Sequence, residues 1–522
     1  MDTKHMGREL LLIAILLAVI IWAWRVVMWV WVRPKNIEKM LKEQGLSGNP
    51  YRLLYGDTKE LKHMATLANS NPINLCDDFL PRVIPFYHHI IKAYGKSSFT
   101  WMGPVARVNI MEPELIQEIL MNNKDFKKPT HNPLAKFLVS GLSGYEDEKW
   151  SKHRKIVNPA FYVDKLKNML SAMCLSSGEM MKEWEILIDE NSSAVCEFNV
   201  QPYIEGLTSD VISRTAFGSS YIEGRKIHQL QKEQALLTLQ VLQSVYIPGW
   251  RFLPTRRNMR LKEINSQLKC LFTDIMKRRE HAMNLGEDDI GDDLLSLLMR
   301  SNQKEIQENG DNKNLGMSRS EIIEECKTFY FAGQESTSNL LTWTMIMLSI
   351  HSNWQAYARE EVLQVFGTQK PDYDGLSRLK TVTMILYEVL RLYPPAPIFT
   401  RVIYKDTKLG NMTLPPGVQF LLPVLLIHHD PEIWGEDAKE FNPDRFSQGI
   451  SKATNNRVSF FPFSWGPRVC IGNNYAMQEA KIIIAMMLQR FSFELSPSYT
   501  HAPSFVLTLQ PQYGAHLLLR KI

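Results

Sequence analysis

A single cysteine, Cys470, lies in a glycine-containing loop directly before a helical pattern near the end of the chain. Residues 463–472 read FSWGPRVCIG, and residues 474–491 carry apolar side chains at the spacing of an α-helix. A thiol at a helix N-terminus is biased toward the thiolate by the helix dipole and by unpaired N–H groups. Gly466 and Gly472 allow backbone turns that bring those amides close to the sulfur. A lone cysteine is usually a buried structural residue, but a thiolate held by amide donors also suits a haem iron.

The spacing Phe463-x-x-Gly466-x-Arg468-x-Cys470-x-Gly472 favours the iron site, because it resembles the haem-binding loop of the cytochromes P-450. The resemblance implies that Cys470 is the metal ligand of a haem b and that the other four residues belong to the cofactor site. It also implies a mainly α fold, in which a triangular helical domain carries a small β-sheet region.

The first forty residues predict a membrane anchor. Residues 10–32 are apolar except for Arg25, and as a helix they would span roughly 34 Å, enough for a hydrocarbon core of about 30 Å. A cleaved signal peptide is the alternative, but bulky residues follow the apolar stretch where a small-residue cleavage site would be needed. We therefore expect an anchor over 1–33, a linker and the start of the globular region over 34–60, and a catalytic domain over 61–522.

Basic residues are more frequent after the apolar segment than before it, which favours a single-pass protein with its bulk in the cytosol. The six cysteines include no Cys-x-x-Cys pair, which is typical of a reducing compartment. Residues 1–35 contain five basic and two acidic side chains of a chain with a formal net charge of +5, so the remainder does not indicate nucleic-acid binding. This topology predicts that the glycosylation sequons at Asn191 and Asn411 stay unmodified.

A long helix is predicted over residues 319–351, and Ser318 and Glu321 resemble a capping box at its start. In its middle, residues 331–338 read FAGQESTS, a combination of glycine and hydroxyl residues that forms helix poorly. By itself this segment indicates a harmless kink. In the cytochromes P-450, however, the same place carries the oxygen-activation motif Ala/Gly-Gly-x-Asp/Glu-Thr-Thr/Ser, which this sequence resembles with serine at the usual threonine position.

The resemblance implies two roles for this segment. Ala332 and Gly333 would let a flat cofactor lie against the helix, and Glu335, Ser336 and Thr337 would be the catalytic residues. Ser336 retains the hydroxyl but lacks the methyl group that restricts the rotamer of threonine, so we expect proton delivery with poorer positioning.

Residues 381–393 predict a helix that ends before two prolines, with Glu388 and Arg391 one turn apart on one face. An arbitrary pair of this kind is nearly always solvated and contributes less than about 1 kcal/mol, although its apolar neighbours favour burial here. Further on, Pro443-x-Arg445-Phe446 resembles the family segment whose arginine completes a Glu–Arg–Arg cluster. The resemblance implies that Glu388, Arg391 and Arg445 form a structural triad ahead of the cysteine loop.

Trp150 and Arg154 stand at i and i+4 on a predicted helix and would by themselves be a surface pair. In the family this pattern binds a haem propionate, and guanidinium and indole N–H groups are suitable donors to a carboxylate. Arg468 and Arg401 resemble the other propionate-binding arginines in their positions.

Residues 44–56, 387–395 and 462–467 resemble the secologanin-synthase-type clade of plant microsomal P-450 enzymes. The resemblance implies a monooxygenase of the endoplasmic reticulum membrane that oxidises a lipophilic, terpenoid-derived substrate with O2 and electrons from NADPH–cytochrome P-450 reductase. Two alternatives stay open. One is a P-450 that rearranges or dehydrates its substrate without reductase, and the other is a non-catalytic haem- or sterol-binding membrane protein.

Substrate contacts are expected, by analogy with the family, from five largely apolar segments. These segments are 131–145, 234–250, 328–336, 396–400 and 503–507. A basic face that meets an acidic reductase is a further hypothesis, the alternative being an ordinary solvated face. Its candidate residues are Lys152, Lys155, Lys165 and Lys167.

Overall fold

The structure is a computed structural model that describes residues 3–129, 133–190, 195–218, 221–244, 249–285, 293–308, 310 and 315–522. Helices dominate the described residues, and short 3-10 turns lie at Ala135–Phe137, Asn158–Phe161, Trp250–Phe252, Pro443–Phe446 and Gly466–Arg468. The α-helices are α1 (Thr3–Val27), α2 (Arg33–Glu43), α3 (Thr58–Ala68), α4 (Leu80–Val83), α5 (Pro85–Tyr94), α6 (Pro113–Met121), α7 (Gly141–Gly144), α8 (Asp147–Val157), α9 (Val163–Glu190), α10 (Gln201–Phe217), α11 (Tyr221–Leu242), α12 (Arg256–Asn284), α13 (Leu294–Glu308), α14 (Arg319–Ile350), α15 (Ser352–Phe366), α16 (Tyr373–Arg378), α17 (Lys380–Leu392), α18 (Val424–His428), α19 (Pro431–Trp434), α20 (Ile450–Ala453) and α21 (Asn473–Arg490).

The strands are short and form four small sheets within the described part of the chain. They are β1 (Ser47–Gly48), β2 (Ser98–Met102), β3 (Val105–Asn109), β4 (Cys196–Asn199), β5 (Phe399–Val402), β6 (Thr407–Leu409), β7 (Met412–Leu414), β8 (Gln419–Leu422), β9 (Phe491–Leu495), β10 (Pro503–Phe505), β11 (Leu509–Pro511) and β12 (His516–Lys521). The largest sheet has the order β1-β2-β3-β8-β5, in which Arg401 of β5 stands opposite Phe420 of β8. The mainly α fold with a small β region is therefore confirmed.

Helix α14 runs through the core and carries the segment that the sequence singled out. It packs against α10, α17 and α21, and its second half is almost completely buried. The predicted capping box is present, because Ser318 accepts from the Glu321 N–H while the Glu321 carboxylate accepts from the Ser318 N–H. The helices expected over 381–393 and 474–491 are likewise confirmed as α17 and α21.

The N-terminal helix continues into the body without a break. Helix α1 passes through a π-helical turn at Met28–Val32 directly into α2, which buries Pro34, Ile37 and Leu41 against the body. The Tyr51 hydroxyl donates to the Val30 carbonyl over 2.5 Å. Over the described residues, this is the one helix long and apolar enough to cross a membrane, as judged by length and composition.

Candidate active site

The cysteine loop has a backbone that the sequence largely dictates. Gly466 has a φ of +70°, and a Cβ placed on it would lie 2.6 Å from the Leu120 carbonyl oxygen of α6, so only glycine fits there. The Cys470 N–H donates to the Phe463 carbonyl over 2.9 Å and closes the loop. Gly472 differs from our expectation, because its φ of −90° is open to any residue and a Cβ would meet only Phe161, at 3.9 Å.

The Cys470 sulfur is surrounded by protein atoms but is not covered by them. Its side chain is exposed, yet burial raises the pKa of the thiol above its usual range. Both observations hold when many protein atoms surround the sulfur and none covers it. The Gly472 N–H, which hydrogen bonds to the sulfur, and the charges of Arg154 and Lys128 act in the opposite direction and lower the pKa. The surroundings thus offer the thiolate one amide donor and two cations.

Basic side chains converge on the cysteine loop. Arg154 of α8 donates to the Val469 carbonyl over 3.0 Å, and Arg468 donates to the Tyr145 carbonyl over 2.8 Å and pairs with Glu146. The carbon at the centre of the Arg468 guanidinium lies 4.3 Å from the centre of the Trp150 ring, a cation–π contact. The arginine positions expected from the resemblance are therefore brought together around the loop.

Two of these cations have strongly lowered pKa values. Burial, followed by repulsion from Arg401 and Arg468, lowers the pKa of Lys128 to about 7. Burial, followed by repulsion from Arg468, lowers the pKa of Arg401 to about 10. Lys128, whose ammonium donates to the Ser143 carbonyl over 2.9 Å, was not expected from the sequence. Lys128 follows another lysine in a segment without a recognisable motif, so the local sequence does not indicate that it belongs to the site.

The cation cluster provides a test of whether these residues fit the cofactor that the resemblance implies. Four buried or half-buried cations, Lys128, Arg154, Arg401 and Arg468, lie here, and among the described ion pairs Arg468 is the one of them that pairs with a carboxylate, that of Glu146. Unpaired buried charge is costly. In addition, Nη1 of Arg468 is buried and has no hydrogen-bond partner among the described residues. A ligand with two carboxylates and an iron that accepts a thiolate would satisfy these groups, so the residues fit a haem.

In the middle of α14, the small and hydroxyl residues point in different directions. Ala332 is exposed, whereas a Cβ on Gly333 would lie 3.0 Å from the Ile212 side chain of α10. The Ser336 hydroxyl donates to the Ala332 carbonyl over 2.7 Å, a local bond of the kind that competes with helix bonding, and the helix nevertheless continues. Thr337 is 1% exposed and its hydroxyl has no hydrogen-bond partner in the described part of the chain. Ala332 and Ser336 are thus accessible, and Thr337 is not.

Glu335 is held by a residue that the sequence did not indicate. Its Oε1 accepts a 2.6 Å hydrogen bond from the Thr508 hydroxyl, in the turn between β10 and β11. Burial raises the pKa of Glu335, while the Thr508 and Asn339 hydrogen bonds act to lower it. The carboxyl group is therefore fixed in position within half-buried surroundings.

The structure also brings Glu388, Arg391 and Arg445 together. Glu388 and Arg391 are fully buried and share two hydrogen bonds of 2.8 and 2.6 Å, and Nε of Arg445 lies 3.7 Å from Oε1 of Glu388. The two guanidinium groups of Arg391 and Arg445 bind carbonyl oxygens of the segment that runs from the end of α18 toward the cysteine loop. These acceptors belong to His428, Trp434, Asp437, Ala438 and Glu440.

Contacts link three of the five expected substrate segments, 131–145, 234–250 and 328–336, and join residues that flank the other two, although residues 131–132 and 245–248 lie outside the described ones. The Thr328 hydroxyl donates to the Ser140 carbonyl over 3.0 Å, and the Leu509 N–H donates to the Pro395 carbonyl over 3.1 Å. Phe137 and Leu237 of α11 both pack on a buried cluster formed by Leu134, Val241 and Leu261. The expected lysines have partners: Lys155 pairs with Glu305, Lys167 stacks on the Tyr373 ring, and Lys152 and Lys165 also interact with neighbours.

A cysteine loop of this kind, set among buried cations in a mainly helical body, is the arrangement of a haem-thiolate protein. The sequence profile of the cytochrome P-450 family matches residues 83–518. CYP72A219 of Panax ginseng is 57% identical over 507 residues, which cover 97% of each chain, and CYP72A616 of Paris polyphylla is 54% identical over 525 residues, which cover both chains fully. Secologanin synthase 2 of Catharanthus roseus is 51% identical over 517 residues, 99% of this chain and 98% of its own. The chain therefore belongs to the cytochrome P-450 family, and it is a monooxygenase, an oxidoreductase that acts on a small molecule with the help of a redox partner.

Proposed function

We propose that this chain is a membrane-anchored monooxygenase that hydroxylates a lipophilic, terpenoid-derived substrate with O2 and electrons from NADPH–cytochrome P-450 reductase. The observation that carries the proposal is the Glu335–Ser336 pair, with a half-buried carboxyl group next to an accessible hydroxyl in the helix that crosses the site. A P-450 that rearranges its substrate without reductase has no need of such a pair, whereas oxygen activation consumes protons that must reach a closed site.

The proposed cofactor is haem b. The Cys470 thiolate would hold its iron, with the Gly472 N–H as a donor to the sulfur. Arg154, Arg401, Arg468 and Lys128 would bind its carboxylates, and Ala332 would leave room beside it. When bound, the haem supplies oxygen binding and activation. The chain's own residues orient the substrate, exclude water and hold protons at the Glu335 carboxyl and the Ser336 hydroxyl.

Lys128 provides a test of the cofactor site that does not depend on turnover. We expect the Lys128→Met variant to lose haem about tenfold faster to an acceptor apoprotein, equivalent to about 1.4 kcal/mol, because one charge-assisted hydrogen bond to a carboxylate is removed. Lys124→Met is the matched control, since Lys124 is exposed in the same segment and its loss should change nothing. Equal rates for Lys128→Met and the wild type would contradict a role in cofactor binding.

The proposed substrate is a bulky lipophilic skeleton. Apolar side chains dominate the segments around the site, among them Phe137, Ile398, Phe399 and Phe505. The similarity to secologanin synthase 2 and to the CYP72A proteins supports a substrate from terpenoid metabolism.

The decisive experiment is co-expression with NADPH–cytochrome P-450 reductase in a yeast host, with triterpene, iridoid and diterpene-hormone compounds screened by mass spectrometry. We expect an oxygen-containing product that requires both NADPH and the reductase. Product formed without reductase would instead support a rearranging or dehydrating enzyme. Absence of reductase-dependent NADPH oxidation would support a non-catalytic haem- or sterol-binding protein.

Ser336 is expected to control the coupling efficiency, which is the amount of product formed per NADPH consumed. Ser336→Ala removes the hydroxyl, so product formed per NADPH should fall at least about tenfold while hydrogen peroxide rises, and Ser336→Thr should match or exceed the wild type. Ser349→Ala is the matched control, because Ser349 makes the same local bond, to the Met345 carbonyl, at the buried end of α14. An unchanged ratio in Ser336→Ala would argue against proton delivery through this hydroxyl.

We further propose a single-pass protein of the endoplasmic reticulum membrane with its body in the cytosol. The apolar helix fits a microsomal anchor, and the excess of basic residues on its C-terminal side supports this orientation. Asn411 reports on the orientation, because it is exposed in the turn between β6 and β7 and would carry a glycan on the lumenal side. Asn191, the other sequon, lies outside the described residues. The proposed face that meets the reductase includes Lys152, Lys155, Lys165 and Lys167.

A further inference from the structure

The Glu335 carboxylate accepts a hydrogen bond from the Thr508 hydroxyl, and the neighbours of Thr508 fix the orientation of that O–H group. Asn339, one turn later in α14, donates from its amide nitrogen to the Glu335 backbone carbonyl over 2.9 Å, which orients the amide group. The same nitrogen lies 2.9 Å from the Thr508 hydroxyl oxygen and donates to it. The single hydroxyl proton of Thr508 is then left for Oε1 of Glu335, at 2.6 Å.

Thr508 directly follows one of the segments that are expected to face the substrate. It closes the turn 506–508 between β10 and β11, directly after Phe505 and Leu507 of an expected substrate segment. The hairpin is fixed on the far side of the turn, because the Trp343 indole N–H donates to the Leu509 carbonyl over 3.0 Å and the Leu509 N–H donates to the Pro395 carbonyl. The turn itself is half-buried.

We propose that Thr508, oriented by Asn339, is a positioning residue that holds the proton-delivering carboxyl group of Glu335 and connects it to the substrate-facing turn. This inference rests on the proposed function, because it concerns the same proton path. A hydroxyl that donates to a carboxylate stabilises its ionised form, so the loss of this donor favours the protonated acid and frees its rotamers. The carboxyl group would then be misplaced for transfer to Ser336.

The test uses the full-length protein with NADPH–cytochrome P-450 reductase and no added substrate. The measured quantity is the fraction of NADPH electrons that is released as hydrogen peroxide, determined from pH 6 to 9. Thr508→Val removes the hydroxyl and keeps the side-chain shape. We expect a several-fold larger peroxide share and a pH profile moved upward by about one unit, the shift that one hydrogen bond to a charged group supports. Thr508→Ser should restore the wild-type profile, and Thr413→Val, at an exposed position of β7, should not differ from it.

A structural role alone would lower the amount of folded enzyme without moving the pH profile. A Thr508→Val variant with the wild-type profile and peroxide share would overturn this inference while leaving the proposed function intact. A wild-type protein that consumes no NADPH with reductase would overturn the proposed function, and this inference with it.

Discussion

Replacing Cys470 with serine is expected to abolish turnover and to remove the red-shifted Soret band of the reduced, carbon-monoxide-treated enzyme. Serine preserves the size of the side chain and the 2.9 Å bond between the residue 470 N–H and the Phe463 carbonyl, so the loop should keep its shape. A hydroxyl, however, does not ionise where a thiol does. The Gly472 N–H and the charges of Arg154 and Lys128 can stabilise a thiolate, but they cannot supply a comparable anion from serine.

Cys270→Ser is the control for this substitution. Cys270 is exposed on α12, so the variant should keep both the spectrum and the activity of the wild type. A Cys470→Ser protein that still oxidises substrate at a comparable rate would refute the assignment of the iron ligand. The two variants together separate ligation from any general effect of losing a thiol.

The second large effect is expected at the buried Glu388–Arg391 pair. Glu388→Gln keeps the shape of the side chain but leaves the Arg391 charge uncompensated at a site with no exposed surface, which typically costs about 3–5 kcal/mol. The free energy of unfolding in urea, followed by tryptophan fluorescence, measures this loss. Because Arg391 also binds the His428 and Ala438 carbonyls over 2.7 and 2.5 Å, we expect haem retention to fall together with stability.

Glu436→Gln is the matched control, since Glu436 is an exposed carboxylate shortly after α19. Its unfolding free energy should stay within about 0.5 kcal/mol of the wild type. A Glu388→Gln protein as stable as this control would mean that the proposed triad does not hold the segment ahead of the cysteine loop.

The sequence predicted those features that depend on residues close together in the chain. The cysteine loop, the capping box of α14 and the ends of α17 and α21 depend on residues within one or two turns of each other. Their spacing therefore carries the signal. The fold class and the family followed from the same short motifs, and both are confirmed.

What the sequence could not predict depends on the path of the whole chain. Thr508 reaches Glu335 across 173 positions, and Lys128 reaches the cysteine loop from a segment without a motif. The sequence of the motif in α14 also did not predict which of its residues face the site. Gly333 turns toward Ile212 and Thr337 into the core, and both placements follow from how α14 packs between its neighbours.

The uninterrupted helix at the N-terminus couples the body to any bilayer that holds residues 10–32. The Arg33 guanidinium donates to the Pro416 carbonyl over 2.6 Å, and the Tyr51–Val30 bond lies one turn earlier, so no hinge separates the apolar stretch from the folded core. A thicker or thinner membrane changes the tilt of a spanning helix. In this protein such a change in tilt would rotate the entire folded body together with the helix. The lipid composition would thereby determine how close the body lies to lipophilic compounds dissolved in the bilayer.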